Sequence, residues 1–186
     1  MNITKTLYVA NREDWRAWLE KHHKIEKEVW LVYYRKLTGQ PRIPYSDAVE
    51  EALCRGWIDS TVRNLDEDRY AQRFSPRNPK SEYSQTNKER LRKLIALGRV
   101  APEVLATLGD IMVEEFEIPP DILQALQVNE RAWENFQRYS ESYQRIRVAF
   151  VDSARHRPQE LQIRLTHLIS MTEKNKQFGY VIEEYF

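Results

Sequence analysis

A chain of 186 residues, 41% apolar and 11% aromatic with 31% charged, has the material for one folded core and a well-solvated exterior. Its 29 basic and 28 acidic residues nearly cancel, so the whole molecule exerts no pull on nucleic acid or membrane and any electrostatic function is local. No apolar run of signal-peptide length follows Met1 and none reaches about 18 residues anywhere, so a cytoplasmic protein without membrane insertion is expected, while a single cysteine, Cys54, excludes an internal disulfide and a cysteine-based zinc site.

Leu7-Tyr8-Val9 reads as an edge strand. Asn11 is a good N-cap, Glu13 and Asp14 suit a first turn, and Trp15, Trp18 and Leu19 recur at helical spacing, which predicts a helix over 12–22. The β-branched and aromatic run from Glu28 to Arg35 predicts a strand over 28–36, closed by Thr38-Gly39-Gln40-Pro41. Ser46 is expected to cap a helix over 47–55 with Ala48, Val49, Ala52 and Leu53 on its apolar face, and Gly56 to stop it. Cys54 ends that stripe, where a small buried hydrophobe is expected rather than a reactive thiol.

Trp57–Arg63 and Arg69–Phe74 bracket the polar turn Leu65–Asp68, the pattern of an antiparallel hairpin over 57–75. From Ser84 the period becomes helical. Leu91, Leu94, Ile95 and Leu97 form one stripe before Gly98, and Val104, Leu105 and Leu108 suggest a short helix. Pro119-Pro120-Asp121 opens a helix carrying Ile122, Leu123 and Leu126. Asn129 caps one carrying Trp133 and Phe136, Ser140 or Ser142 one carrying Ile146, Ala149 and Phe150, and Pro158 begins one carrying Leu161, Leu165, Leu168 and Ile169. The expected fold is α+β: a small antiparallel sheet of three to four strands packed with helices, and an all-helical C-terminal half. It forms one domain over 1–186, with any subdivision at 112/113.

Period-two alternation places Trp57, Asp59, Thr61 and Arg63 on one face of their strand. An aspartate inside a strand calls for a tertiary partner, and Arg35, Lys36, Arg73 and Arg77 are the candidates. Three roles stay open for Asp59: an ion pair fixing the hairpin, a general acid or base, and a ligand anchor working with an arginine. Pro76 and Pro79 stiffen the hairpin exit, and Ser84 and Asn87 follow at the mouth of a helix, where they either cap it or help hold an anion. Residues 69–99 hold nine Lys or Arg against two Glu. With Tyr70, Phe74 and Tyr83 interleaved, this suits single-stranded nucleic acid; a solvated basic face near the acidic 114–134 segment is the alternative. His22, His23, His156 and His167 lack metal-ligand spacing, so no metal is expected, and no cofactor or common catalytic motif is indicated.

The string Glu51-Ala52-Leu53-Cys54-Arg55-Gly56-Trp57-Ile58-Asp59-Ser60, then Phe74-Ser75-Pro76-Arg77 and Ser81-Glu82-Tyr83-Ser84 with Asn87, resembles the YdeI/OmpD-associated family. The likeness extends upstream through Trp15, Trp18-Leu19 and Trp30-Leu31-Val32-Tyr33-Tyr34, and downstream through Ile118–Leu126, Trp133, Phe136 and Ser142-Tyr143. Tyr83 stands where many members have Trp, Arg55 where many have an aromatic, and Pro158–Arg164 only loosely echoes the family's Thr-Arg-rich stretch. The resemblance implies a bacteriocin-protection or stress role and specifies no chemistry.

These readings favour a binding module over an enzyme. Trp57, Asp59, Arg77, Ser84 and Asn87 are expected to hold an anionic small ligand or a single-stranded nucleic acid. The alternatives are a small enzyme using Asp59 in that pocket, and a module that docks a protein partner through its C-terminal helices.

Overall fold

The computed structural model describes residues 3–109, 111 and 115–179. Strand β1 (Thr6–Tyr8) leads into helix α1 (Arg12–His22), where Asn11 accepts a hydrogen bond from the Asp14 amide and so satisfies one of the helix's open donors. Strand β2 (Val29–Tyr34), a short 3₁₀ turn and helix α2 (Tyr45–Cys54) follow. Pro44, not Ser46, precedes the first turn of α2; its fixed φ suits the entry, and Ser46 is buried within the helix. Gly56, at φ +70°, ends the run and turns the chain into strand β3 (Trp57–Asn64), which returns as β4 (Arg69–Pro76).

The sheet order is β1-β2-β4-β3. The pairs β2–β4 and β3–β4 are antiparallel as expected, but β1 runs parallel to β2, so the sheet is mixed. The physical reason is α1, a helical crossover that returns the chain in its original direction. Val29, Leu31 and Tyr33 of β2 share a core-facing side with Tyr70, Gln72 and Phe74 of β4 by direct register. Asp59 lies opposite Phe74, yet Val62 rather than Thr61 lies opposite Gln72. One extra residue in β3 makes a β-bulge there and reverses the alternation beyond it. Arg63 therefore pairs with Ala71 and leaves the face of Trp57 and Asp59, contrary to the period-two expectation.

Backbone contacts divide the chain into two units, Met1–Tyr83 with Arg90–Ile111 and Ser84–Glu89 with Met112–Phe186. The division passes through helix α3 (Gln85–Ala96), and the boundary expected at 112/113 lies outside the described residues. The first unit also holds the short helix α4 (Pro102–Leu105). Its core gathers Trp15, Leu19, Leu31, Ile43, Leu53, Trp57, Phe74 and Leu91. Both indoles of this core are satisfied, Trp15 donating to the Ala48 carbonyl at 2.9 Å and Trp57 to that of His23 at 3.0 Å, so their large apolar surfaces are buried without a stranded N–H.

Beside this core, Glu51 of α2 receives Arg12 and Arg16 of α1 and Arg99 from beyond α3. Burial pushes Glu51 up, but hydrogen bonds from Arg16 and Arg12 outweigh it and hold the carboxyl below its ordinary value.

The described remainder of the second unit is helical: α5 (Pro120–Val128), α6 (Glu130–Arg138), α7 (Glu141–Asp152) and α8 (Pro158–Glu173). Asn129 and Ser140 cap α6 and α7 with hydrogen bonds from the Ala132 and Tyr143 amides, as their positions predict. Ile122, Leu126, Phe136, Val148, Val151 and Leu168 form this unit's own core. The architecture is α+β with a helical C-terminal region, and no described helix is long and apolar enough to cross a membrane.

Candidate functional site

The first unit's polar side chains converge where the core-facing side of the sheet runs toward the outer end of β2. Register sets Tyr33 opposite Tyr70, and their rings stack with centroids 5.2 Å apart and planes within 6°. On β3, Asp59 projects from the turn of strand just before the bulge. Tyr45, the first residue of α2, donates its hydroxyl to Asp59 Oδ2 at 2.6 Å, and the buried Gln72 amide reaches the same oxygen at 3.2 Å and the Ser60 carbonyl at 3.2 Å. Arg42, in the loop before α2, donates through Nη1 to the Tyr34 carbonyl at 3.2 Å and the Tyr70 hydroxyl at 3.5 Å.

Tyr33 itself is 1% exposed, and its hydroxyl has no hydrogen-bond partner among the described residues. Burial pushes its phenol well above the usual range, Tyr70, Tyr45 and Asp59 add to that, and Arg42 opposes it. At neutral pH Tyr33 is thus an uncharged hydroxyl, able to donate one hydrogen bond and to accept others. A buried hydroxyl left without a partner costs on the order of 1–3 kcal/mol, so its persistence calls for an explanation.

The residues singled out from sequence are distributed differently. Asp59 sits in this corner, but its partners are the neutral donors Tyr45 and Gln72. None of the arginines expected to pair with it does so. Arg35 binds the Glu67 carbonyl and Asn64, Arg73 projects from the other face of β4 to Glu28 at 2.6 Å, and Arg77 lies 3.5 Å from the centre of the Tyr83 ring. Trp57 is 1% exposed and committed to the core. Ser84 and Asn87 belong to the second unit, where the Asn87 amide donates to Ser84 Oγ at 3.4 Å as a helix cap. Ser84 also lines a cavity of about 260 Å³ with Gln85, Thr86, Ile146, Arg147 and Phe150. Cys54 is buried, and burial followed by the Glu51 charge pushes its thiol up to about 12.

The basic run is largely tied to its own chain: Arg69 pairs with Asp66, Arg73 with Glu28 and Arg99 with Glu51, while Arg92 donates to the Ile111 carbonyl. Such cations are not an open row of phosphate contacts. Tyr33, Arg42, Tyr45 and Gln72 carry most of the corner and were not singled out from sequence, and Tyr70 was marked only as a stacking aromatic of the basic run. The available signal was Gln72, a polar residue at a core-facing position between Tyr70 and Phe74 in the alternation of β4.

A family model described as a domain of unknown function (DUF8412) matches residues 7–107, and one described as Bacteriocin-protection, YdeI or OmpD-Associated matches residues 115–175. No curated protein and no solved structure matches the chain significantly. The resemblance carried by Ile118–Leu126, Trp133, Phe136 and Ser142-Tyr143 falls inside the second matched segment, whereas the motifs between Glu51 and Asn87 fall inside the first. The chain belongs to the DUF8412 family through more than half its length, and its residues 115–175 are similar to the YdeI or OmpD-associated, bacteriocin-protection family.

Proposed function

We propose that the N-terminal unit is a cytoplasmic binding module for a small polar molecule, received at the corner built from Tyr33, Arg42, Tyr45, Asp59, Tyr70 and Gln72. The observation that carries this reading is the buried Tyr33 hydroxyl, which has no partner among the described residues. Asp59 adds to it, because both its hydrogen bonds use Oδ2 and leave Oδ1 to an incoming donor. A ligand that supplies these missing bonds converts a standing cost into binding energy. Entry is by way of Tyr45, half exposed beside Asp59, since the Tyr33 hydroxyl is closed to solvent.

Two-dimensional NMR of the full chain against cocktails of small amines, carboxylates, polyols and nucleosides tests this. Binding is expected to shift the resonances of residues 33, 45, 59 and 70 together. Tyr33→Phe should weaken the best probe by about tenfold, the worth of one lost hydrogen bond, while leaving the melting temperature unchanged or slightly raised. If no probe moves those resonances at millimolar concentration, or if Tyr33→Phe clearly lowers the melting temperature, the hydroxyl has a structural role and the proposal fails.

A further inference from the structure

The corner holds a carboxylate, Asp59, and a guanidinium, Arg42, that leave each other alone, while a second guanidinium, Arg35, lies 6.0 Å from the centre of the Tyr70 ring and is committed to the Glu67 carbonyl and Asn64. Elsewhere in the first unit, cationic side chains beside acids are matched: Arg12, Arg16 and Arg99 on Glu51, Arg73 on Glu28, Arg55 on Glu20, and Arg69 on Asp66. Asp59 instead meets only the neutral donors Tyr45 and Gln72, and Arg42 meets only the neutral acceptors Tyr34 and Tyr70. Arg42 is half-buried and engages the protein through Nη1 alone, so Nε and Nη2 have no acceptor among the described residues. The two groups flank the stacked Tyr33–Tyr70 pair, Arg42 at the Tyr70 hydroxyl and Asp59 through Gln72, the next residue along the same face of β4.

We infer that the ligand is a small zwitterion, its ammonium group received by Asp59 Oδ1 and its carboxylate by the outer edge of Arg42. This rests on the binding-module reading above and narrows it. The choice follows from charge. A purely anionic molecule gains Arg42 but meets the field of Asp59, and a purely cationic one gains Asp59 but meets Arg42. A neutral polyol excludes water from both charges and compensates neither, which is costly in a partly buried site. A molecule carrying both signs a short distance apart compensates both at once, through charge-assisted hydrogen bonds. The uncharged Tyr33 hydroxyl serves either end.

The test uses the full chain with glycine, L-alanine and L-glutamine as zwitterionic probes, ethylamine and acetate as singly charged ones, and glycerol as a neutral one. Titrations are followed at the resonances of residues 33, 45, 59 and 70. The zwitterions are expected to bind at least about tenfold more tightly than ethylamine or acetate, since each loses one charge-assisted contact. Asp59→Asn should remove that advantage and improve acetate, and Arg42→Gln should remove it and improve ethylamine. Arg42→Lys, which keeps the charge, should retain part of the zwitterion affinity; melting curves of all three variants verify their folding. If ethylamine, acetate or glycerol binds at the corner as well as the zwitterions do, the inference is overturned and the binding module stands. If the corner resonances respond to none of these probes but do respond to another class of small molecule, the inference is again overturned alone. Silence toward every class removes both.

Discussion

Replacing Glu51 with glutamine tests the account of how the first unit is held together. The Glu51 side chain is 3% exposed and is the common partner of Arg12, Arg16 and Arg99. The substitution keeps volume and removes the charge. Arg12 retains Glu50 at 2.6 Å and Asp47 at 3.1 Å, whereas Arg16 and Arg99 lose their carboxylate and recover only the hydration their partial exposure allows. Removing one partner of a buried ion pair costs about 3–5 kcal/mol, and the remaining acids on Arg12 place the expectation at the low end, about 3 kcal/mol. For a unit of this size each kcal/mol shifts the midpoint by about 4–8 °C, so a loss of roughly 12–24 °C is expected. The pH dependence has a definite sign. Glu51 is held below its ordinary value of 4.5, so its stabilisation is complete above that pH and is lost as the pH falls through the lowered value. The wild type should approach the Glu51→Gln variant only in acid, with Asp47, pushed up by burial against the pull of Arg12, countering part of the slope. Urea titrations of both proteins between neutral pH and pH 3 measure this. A loss below about 1 kcal/mol at neutral pH, the range of exposed pairs, refutes the reasoning.

One labelling experiment and one further substitution probe the same unit. Because burial pushes the Cys54 thiol up to about 12, an aromatic disulfide reagent at pH 8 should label the native protein only as fast as it unfolds, and fast labelling insensitive to added urea would contradict the buried assignment. Gly56 holds φ +70°, and a Cβ there meets Val104 Cγ2 at 3.3 Å, so Gly56→Ala should cost more than about 1 kcal/mol in urea unfolding. A neutral result would mean that the turn between α2 and β3 tolerates another conformation.

What was legible in the sequence follows from how local each cause is. Helix α1 runs over the predicted 12–22 because its cap, first-turn acids and tryptophan spacing all lie within its own residues. The caps at Asn129 and Ser140 were readable for the same reason. Ser46 misled because a serine near a helix start is a good cap only if the chain enters there, and Pro44 made it enter two residues earlier. The parallel pairing of β1 was implicit in its position ahead of a helix and then a strand, but a three-residue strand is too short to announce its direction.

The candidate site was half legible. An aspartate at a strand position disfavoured for it marked Asp59, and that anomaly led to the corner. Its partners were hidden because a strand sequence does not show which residue of the next strand it will face. A single extra residue in β3 decides that Val62, not Thr61, lies opposite Gln72, and so sends Arg63 away from Asp59. With no arginine delivered to Asp59 by its own hairpin, the available cation is Arg42, from a loop seventeen positions earlier, and it arrives at Tyr70 instead. The separation of Asp59 from Arg42 thus comes from one bulge and one loop. Deleting Ser60 should restore a regular alternation with Val62 still opposite Gln72 and Arg63 still opposite Ala71, so Asp59 gains no cation on its face; if the corner's binding depends on those unmatched charges, the deletion variant should still favour zwitterions over ethylamine and acetate, and loss of that preference in a folded variant would refute the account.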